Sequence, residues 1–276
     1  MMLFQGLGQI DKLTTHDITS IVSFPSYQSP LTDGFIRIPK HVTNVRLDVG
    51  LSETAHISQY WLDHDPDTFV LCLEPNRRNL VRIISGTGRW IYKLDPKLID
   101  IRCYILPYAA KDIPEPARSL FYCTANDPGC SSLLQPIEFD IAKESYVECI
   151  NLAQLIGLIS PKRFPFIDYI KLDCQGADYE ILRSLRTVAS RISVITYEYE
   201  PGQYYNSCDS LYKYSSLMTS LGLLEATSEN LIKWRIDPGK FLVDDPTYFN
   251  PLSAAFISAS ARMYIQSNSF ISKFND

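Results

Sequence analysis

The chain has 276 residues, of which 46% are hydrophobic and 21% charged, with a net charge of −5. That length and composition suit a globular protein made of one large α/β domain or two small ones. The acidic balance excludes a general attraction to phosphate backbones or to anionic lipid, and Arg77, Arg78 and Arg82, or Lys162 and Arg163, read as solvated faces.

Residues 1–30 are broken up by Pro25, Ser26, Ser29 and Pro30, with Ile18, Ile21 and Val22 suited to one helical turn. Asp33-Gly34 predicts a turn, and Phe35 to Pro39 a short strand. Residues 1–40 thus form a β lead-in. Val42 to Val49 is the first buried strand, ending in Asp48 and Gly50, and Ser52 to Leu62 a helix. Thr68 to Leu73 is the second strand. It runs into Glu74-Pro75, where proline opens a helix that Gly86 and Gly88 stop.

Residues 99–110 read as a third strand with a break at Pro107. The excursion over 111–136 holds Pro114, Pro116, Asn126-Asp127-Pro128-Gly129 and a strand at Ser119 to Cys123. Connections of that length are usually functional or fold as a hairpin. Ser145 to Leu152 is a strand and Asn151 to Leu158 a short helix. The apolar run Phe166 to Leu172 then suits a strand buried on both faces. It stops at Asp173 and Gly176, after which Ile181, Leu182, Leu185, Val188 and Ala189 mark a helical face to about Arg191. Arg191 to Glu200 is the next strand and Leu211 to Leu221 a helix. Leu223 to Thr227 and Leu231 to Ile236 read as closing strands, and Phe256 to Ile265 as a last helix.

The alternation of strand and helix predicts a doubly wound, Rossmann-like α/β/α sheet over 41–245, with 246–276 as a C-terminal extension. The seven cysteines are odd in number and form no C-x-x-C pair, so a reduced, intracellular chain without disulfides or zinc is expected. The four histidines lack ligand spacing, and no metal site is expected. No run nears the ~18 apolar residues of a membrane span, and no secretory signal is recognisable. A cytoplasmic protein is the expectation.

In an open α/β sheet, ligands bind beyond the carboxyl ends of the strands. Three such ends carry acids here: Asp48 with Gly50, Glu74, and Asp173. Glycine after the first strand lets a ligand approach the backbone, and a carboxylate after the second can accept both hydroxyls of a ribose. The Asp48–Glu74 separation is near the ~20 residues expected of such a unit. An adenosine-containing cofactor follows; the bland alternative makes these acids helix caps. A nicotinamide dinucleotide wants G-x-G-x-x-G, whereas the loop here is Asp48-Val49-Gly50-Leu51-Ser52-Glu53-Thr54. Glu53 beside the helix start would repel a pyrophosphate, which favours a sulfonium cofactor, S-adenosylmethionine.

The ordered set Gly34 to Pro39, Leu47-Asp48-Val49-Gly50, Glu74-Pro75, Tyr108-Ala109-Ala110, Asn126 to Leu133 and Ile167 to Asp178 resembles the FkbM-type methyltransferases of the class I S-adenosylmethionine-dependent fold. The resemblance implies that Asp48, Gly50 and Ser52 form the loop holding the methionine portion and that Glu74 binds the ribose. Ala109, Ala110 and Asp112 would lie near the adenine. Ser131, Ser132 and Gln175 would face cofactor or acceptor, and Asp173 the transferring methyl. It implies O-methyl transfer to a hydroxyl of a sugar or small natural product, with Asp173 as base, Lys171 biasing its position and Glu198 as a further candidate. Leu51, Ser52 and Thr54 replace the Ala, Asn and last Gly common in the family, and Gln175 replaces a frequent Glu. Two alternatives stand beside this reading. One is RNA ribose 2'-O-methylation, which the acidic balance disfavours. The other is an inactive adenosyl-binding or interaction module. A small-molecule or glycan acceptor is expected, with neither nucleic acid nor membrane as partner.

Overall fold

In the computed structural model the described residues are 31–32, 34–89, 91–199, 204–206, 210–233 and 245–253. The chain opens on a hairpin, β1 (Leu31–Thr32) and β2 (Phe35–Ile36). The central sheet begins with β3 (Asn44–Val49) and β4 (Thr68–Leu73), which run parallel in register from Asn44 beside Thr68 to Val49 beside Leu73. Between them lies α1 (His56–His64), and after β4 comes α2 (Arg77–Ser85). Every residue of β4, Thr-Phe-Val-Leu-Cys-Leu, is buried, as a strand covered on both faces requires.

The third parallel strand, β5, spans Cys103–Leu106 and is followed by β6 (Ala109–Ala110). The long run expected over 99–110 is thus interrupted: Asp100 adopts φ 64, and Pro107 separates the two strands. Next come β7 (Ala117–Thr124) and β8 (Ile141–Ile150), an antiparallel pair that makes a second sheet with β6. The excursion of the chain here is therefore both a hairpin and, through its connecting loop, part of the site. Then follow α3 (Leu152–Gly157), β9 (Tyr169–Leu172), α4 (Asp178–Ser184), β10 (Val194–Tyr197) and α5 (Leu211–Ser220). The helix expected to reach Arg191 gives way after Ser184 to two 3₁₀ turns, Leu185–Thr187 and Ala189–Arg191, where β-branched Thr187 and Val188 weaken the α-helix.

The chain ends in β11 (Leu224–Glu225), α6 (Ser228–Lys233) and β12 (Thr247–Phe249). A helix thus stands where a second closing strand was expected from Leu231. The Thr227 hydroxyl accepts the Asn230 N–H at 3.2 Å, and Glu229 sits in the first turn, so local capping decides it. Residues 1–30 and the helix expected over 256–265 lie outside the described residues.

The seven-stranded sheet has the order β11-β12-β10-β9-β3-β4-β5. Counted along the chain, its five parallel strands read third, second, first, fourth, fifth, a doubly wound order with its switch point between β3 and β9. β12 is antiparallel and wedged between β10 and β11, so the sheet takes in Thr247–Phe249, beyond the boundary expected at 245. A three-residue strand next to Pro246 and Pro251 offers too short a pattern to read. One face of the sheet packs on α3, α4 and α5 through Leu155, Leu182 and Leu217, the other on α1 and α2 through Trp61 and Ile83. Burying each such side chain stabilises the fold by about 1.5–3 kcal/mol.

Candidate active site

The site forms where the carboxyl ends of β3, β4 and β9 meet. Gly50 leaves β3 at φ 83, and a Cβ there would stand 1.9 Å from the Asp173 carbonyl oxygen. Only glycine allows the two strand ends to approach so closely. The Gly50 N–H donates to the Leu73 carbonyl at 3.0 Å, and the Asp173 N–H to that of Val49 at 3.0 Å. Lys171 completes the junction. Its ammonium donates to the Gly50 carbonyl at 2.7 Å and to Asp173 Oδ2 at 2.9 Å, and stands 3.7 Å from Asp48 Oδ1.

Beyond this junction opens a partly enclosed cleft. Among residues singled out from the sequence, Gly50, Ser52, Glu74, Ala109, Ala110, Ser131 and Asp173 line it. The loop after Gly50 keeps its turns without further glycines: Ser52 and Ala55 adopt φ 58 and 49, at roughly 1–2 kcal/mol each. Those turns delay α1 to His56, four residues later than expected. Leu51 is buried in the core of the α1–α2 face.

Glu74 is the electrostatic centre of the cleft. It is only 4% exposed, and burial pushes its carboxyl up to about 8, despite hydrogen bonds from the Asn76 backbone and the Asn79 side chain. The Asn76 N–H lies 2.7 Å from Oε1. A buried carboxyl on the wall of a cleft walled by Leu73, Tyr108, Phe121 and Leu133 suits a ligand with an apolar body and hydroxyl donors. An adenosine fits that description.

Asp173 is held differently. Its side chain is 31% exposed. Burial favours its neutral form, but Lys171 and hydrogen bonds from Glu198, Gln175 and Lys171 outweigh this and hold the carboxyl below its ordinary range. Gln175 Nε2 donates to Asp173 Oδ1 at 2.8 Å and to Glu198 Oε2 at 2.5 Å. Lys171 is raised: burial opposes its charge, while Asp173 and Asp48 more than restore it. An ionised carboxylate therefore faces the cleft, with its second oxygen tied to an ammonium.

The remaining candidates stand outside the lining. Asp48 lies beneath the cleft, 1% exposed, accepting from the Ser58 hydroxyl at 2.6 Å; burial raises its carboxyl even against Lys171. It anchors Lys171 from below. Ser132 is 1% exposed and donates to the Gln175 carbonyl at 2.7 Å. Asp112, expected near an adenine, instead accepts from Arg183 Nε at 3.0 Å at a separate groove beside α3 and α4; β6 ends at Ala110, and the chain has turned away two residues later. Glu53 does not face the cleft either. It is 1% exposed and paired with Arg82 and Arg89, so its charge cannot discriminate against a pyrophosphate.

Several site residues carried no signal in the sequence. Asn76 caps α2 through the Arg78 N–H and donates to Ser131 Oγ at 3.1 Å, fixing the 128–131 loop over Glu74. Asn79 and Phe121 line the cleft. Only the N-cap position before α2 could have been read in advance. Of the aromatics near the C-terminus, Tyr248 and Phe249 are core residues of β12, whereas Tyr205 reaches the site, its hydroxyl 2.6 Å from Gln175 Oε1. Among the described residues no group of three or more potential metal ligands occurs, and no helix is long and apolar enough to cross a membrane.

The sequence profile of the methyltransferase FkbM domain matches residues 70–222, more than half of the chain. No curated protein matches significantly. Among solved structures, the chain is similar to the precorrin-6y C5,15-methyltransferase of Geobacter metallireducens GS-15, at 14% identity and TM-score 0.34, over 67% of this chain and 66% of that one. It is similar to an antibiotic-related methyltransferase at 13% identity and TM-score 0.31, over 76% and 86%. A third similarity is to the phosphoethanolamine N-methyltransferase 2 of Haemonchus contortus in complex with phosphomonomethylethanolamine and S-adenosylhomocysteine, at 12% identity and TM-score 0.32, over 67% and 34%. With its profile match covering more than half of the chain, including the ends of β4 and β9, the chain belongs to the FkbM family of S-adenosylmethionine-dependent methyltransferases.

Proposed function

We propose that this chain transfers a methyl group to a hydroxyl oxygen of a sugar or small natural product. One observation carries the reading: an ionised Asp173, fixed by Lys171 and Gln175, borders the same cleft as the buried Glu74 carboxyl. Bound there, S-adenosylmethionine would supply an electrophilic methyl carbon on a sulfonium. Glu74 would accept hydrogen bonds from its hydroxyls, Gly50 and Ser52 would form the loop around one end, and Ala109, Ala110 and Ser131 the wall around the other. A carboxylate held below its ordinary range is a weak proton acceptor but a strong hydrogen-bond acceptor. Asp173 therefore orients the acceptor hydroxyl and stabilises the positive charge that grows on its oxygen as the C–O bond forms and the C–S bond breaks, releasing S-adenosylhomocysteine; it receives the hydroxyl proton once methylation has made that proton strongly acidic. Phe121, Pro128 and Leu133 add apolar wall to the cleft, and apolar surroundings strengthen both interactions.

The test is to incubate the protein with S-adenosylmethionine and a panel of hydroxylated acceptors, sugars first, and to follow mass gain by one methyl group. Asp173→Asn is expected to lower transfer by about 10²-fold or more while S-adenosylhomocysteine still binds. Transfer unaffected by Asp173→Asn, or a methyl found on nitrogen, would refute the reading.

A further inference from the structure

We propose that Tyr205 is a positioning residue of the site: acting through Gln175, it holds the Asp173 and Glu198 carboxyl groups together as one anionic pair beside the cleft. This rests on the reading of the cleft as the cofactor's seat.

The geometry is specific. Gln175 is 8% exposed, in left-handed backbone at φ 54, with its carbonyl fixed by the Ser132 hydroxyl at 2.7 Å. Its side-chain amide has one donating and one accepting end. The donating end serves both carboxyl groups, at 2.8 Å from Asp173 Oδ1 and 2.5 Å from Glu198 Oε2. The accepting end lies 2.6 Å from the Tyr205 hydroxyl, which is itself 2.9 Å from the Cys130 carbonyl. Tyr205 therefore decides which way the amide faces. Turned over, Gln175 would present its oxygen to two carboxyl groups and repel them.

The tyrosine is held as firmly as the amide. It is 2% exposed, pairs as a β-bridge with Pro136, and its ring lies 5.8 Å from that of Phe139. The neighbouring Tyr204 carbonyl accepts from the Ile137 N–H at 2.7 Å, and the Asn206 N–H donates to the Gln135 carbonyl at 3.0 Å. The segment 204–206 is thus stitched to the loop that covers the cleft, and that loop reaches the carboxyl pair through one hydroxyl.

The consequence is a preference for a cation. With the shared donor in place the Glu198 carboxyl, which hydrogen-bonds Asp173, leaves the negative charge of the pair on Asp173 at the cleft. Without it Glu198 is no longer held against Asp173, and the Asp173 carboxyl, deprived of both donors, takes up a proton more readily, so the cleft loses negative charge. S-adenosylmethionine, a sulfonium, and S-adenosylhomocysteine, its neutral counterpart, read that charge directly in calorimetric binding to the intact protein. Tyr205→Phe keeps the ring against Phe139, and Gln175→Met keeps the length of the side chain. Each is expected to reduce the preference for S-adenosylmethionine by about tenfold, the scale of one hydrogen bond to a charged group. The affinity for S-adenosylhomocysteine stays within about twofold. The double variant is expected to lose no more than either single one, since the two residues act in series. Parallel weakening of both ligands, a preference that holds or rises, or additive losses would each overturn the role of Tyr205. Wild-type protein that binds neither compound would overturn the cofactor reading, and this proposal with it.

Discussion

Lys171→Met is the most informative single perturbation of the junction beneath the cleft. The ammonium is 14% exposed and sits between Asp48, 1% exposed, and Asp173, 31% exposed. Methionine fills the same space without the charge. Removing one partner of a buried ion pair costs about 3–5 kcal/mol, and the partial exposure of Asp173 argues for the lower end, about 3 kcal/mol near pH 8. Both carboxyl groups are then uncompensated, so both pKa values rise. A carboxyl raised in the folded state gives stability that is present at low pH and lost as pH rises through its folded value. The cost of Lys171→Met is therefore expected to shrink at pH 5 by about 1–2 kcal/mol, as protonation relieves Asp48. Urea unfolding of wild type and variant at pH 5 and pH 8 measures it. A loss under 1 kcal/mol, or one independent of pH, would show that Lys171 does not clamp the strand ends, and would return it to the list of residues acting only on substrate.

Two further expectations concern the cleft. Glu74 titrates near 8 in the folded chain against an ordinary 4.5, so its contribution to stability is complete below pH 4.5 and is lost as pH rises through 8. The ligand-free protein should lose on the order of 5 kcal/mol across that window, and Glu74→Gln should flatten the profile; equal slopes for the two proteins in denaturant titrations would count against the burial argument. Gly50→Ala places a Cβ 1.9 Å from the Asp173 carbonyl oxygen at a φ already costing about 1–2 kcal/mol for alanine. A total loss of about 3 kcal/mol or more is expected from thermal melting, and an unchanged Tm would sink the claim that β3 and β9 are locked at this point.

What could be read from the sequence followed from local rules. The strand Thr68–Leu73 and its partner at Asn44–Val49 are apolar runs that end in an acid, and Gly50, Glu74 and Asp173 were legible because ligands gather at such ends. The doubly wound α/β class followed from the alternation of elements. The misreadings came from contacts distant in sequence. Glu53 looked like a charge facing the cofactor, yet Arg82 and Arg89 take it away from the cleft. Lys171, expected beside Asp173, also reaches the end of the first strand, where it donates to Gly50 and faces Asp48. Gln175 and Tyr205 are 30 residues apart, and Asn76 and Ser131 are 55 apart. Only the fold brings these pairs within hydrogen-bonding distance. Leu231 lost its expected strand for the opposite reason, because a cap at Thr227 outweighed an apolar run.

The central claim, that the cleft at the ends of β3, β4 and β9 seats S-adenosylmethionine through Glu74, is tested most directly by calorimetric titration with S-adenosylmethionine and S-adenosylhomocysteine, before and after Glu74→Ala. The account predicts one site per chain for both compounds in the wild type and an affinity at least tenfold weaker in the variant, the scale of one to two ordinary hydrogen bonds to the carboxyl group. Absence of binding by either compound, or binding indifferent to Glu74→Ala, would contradict it.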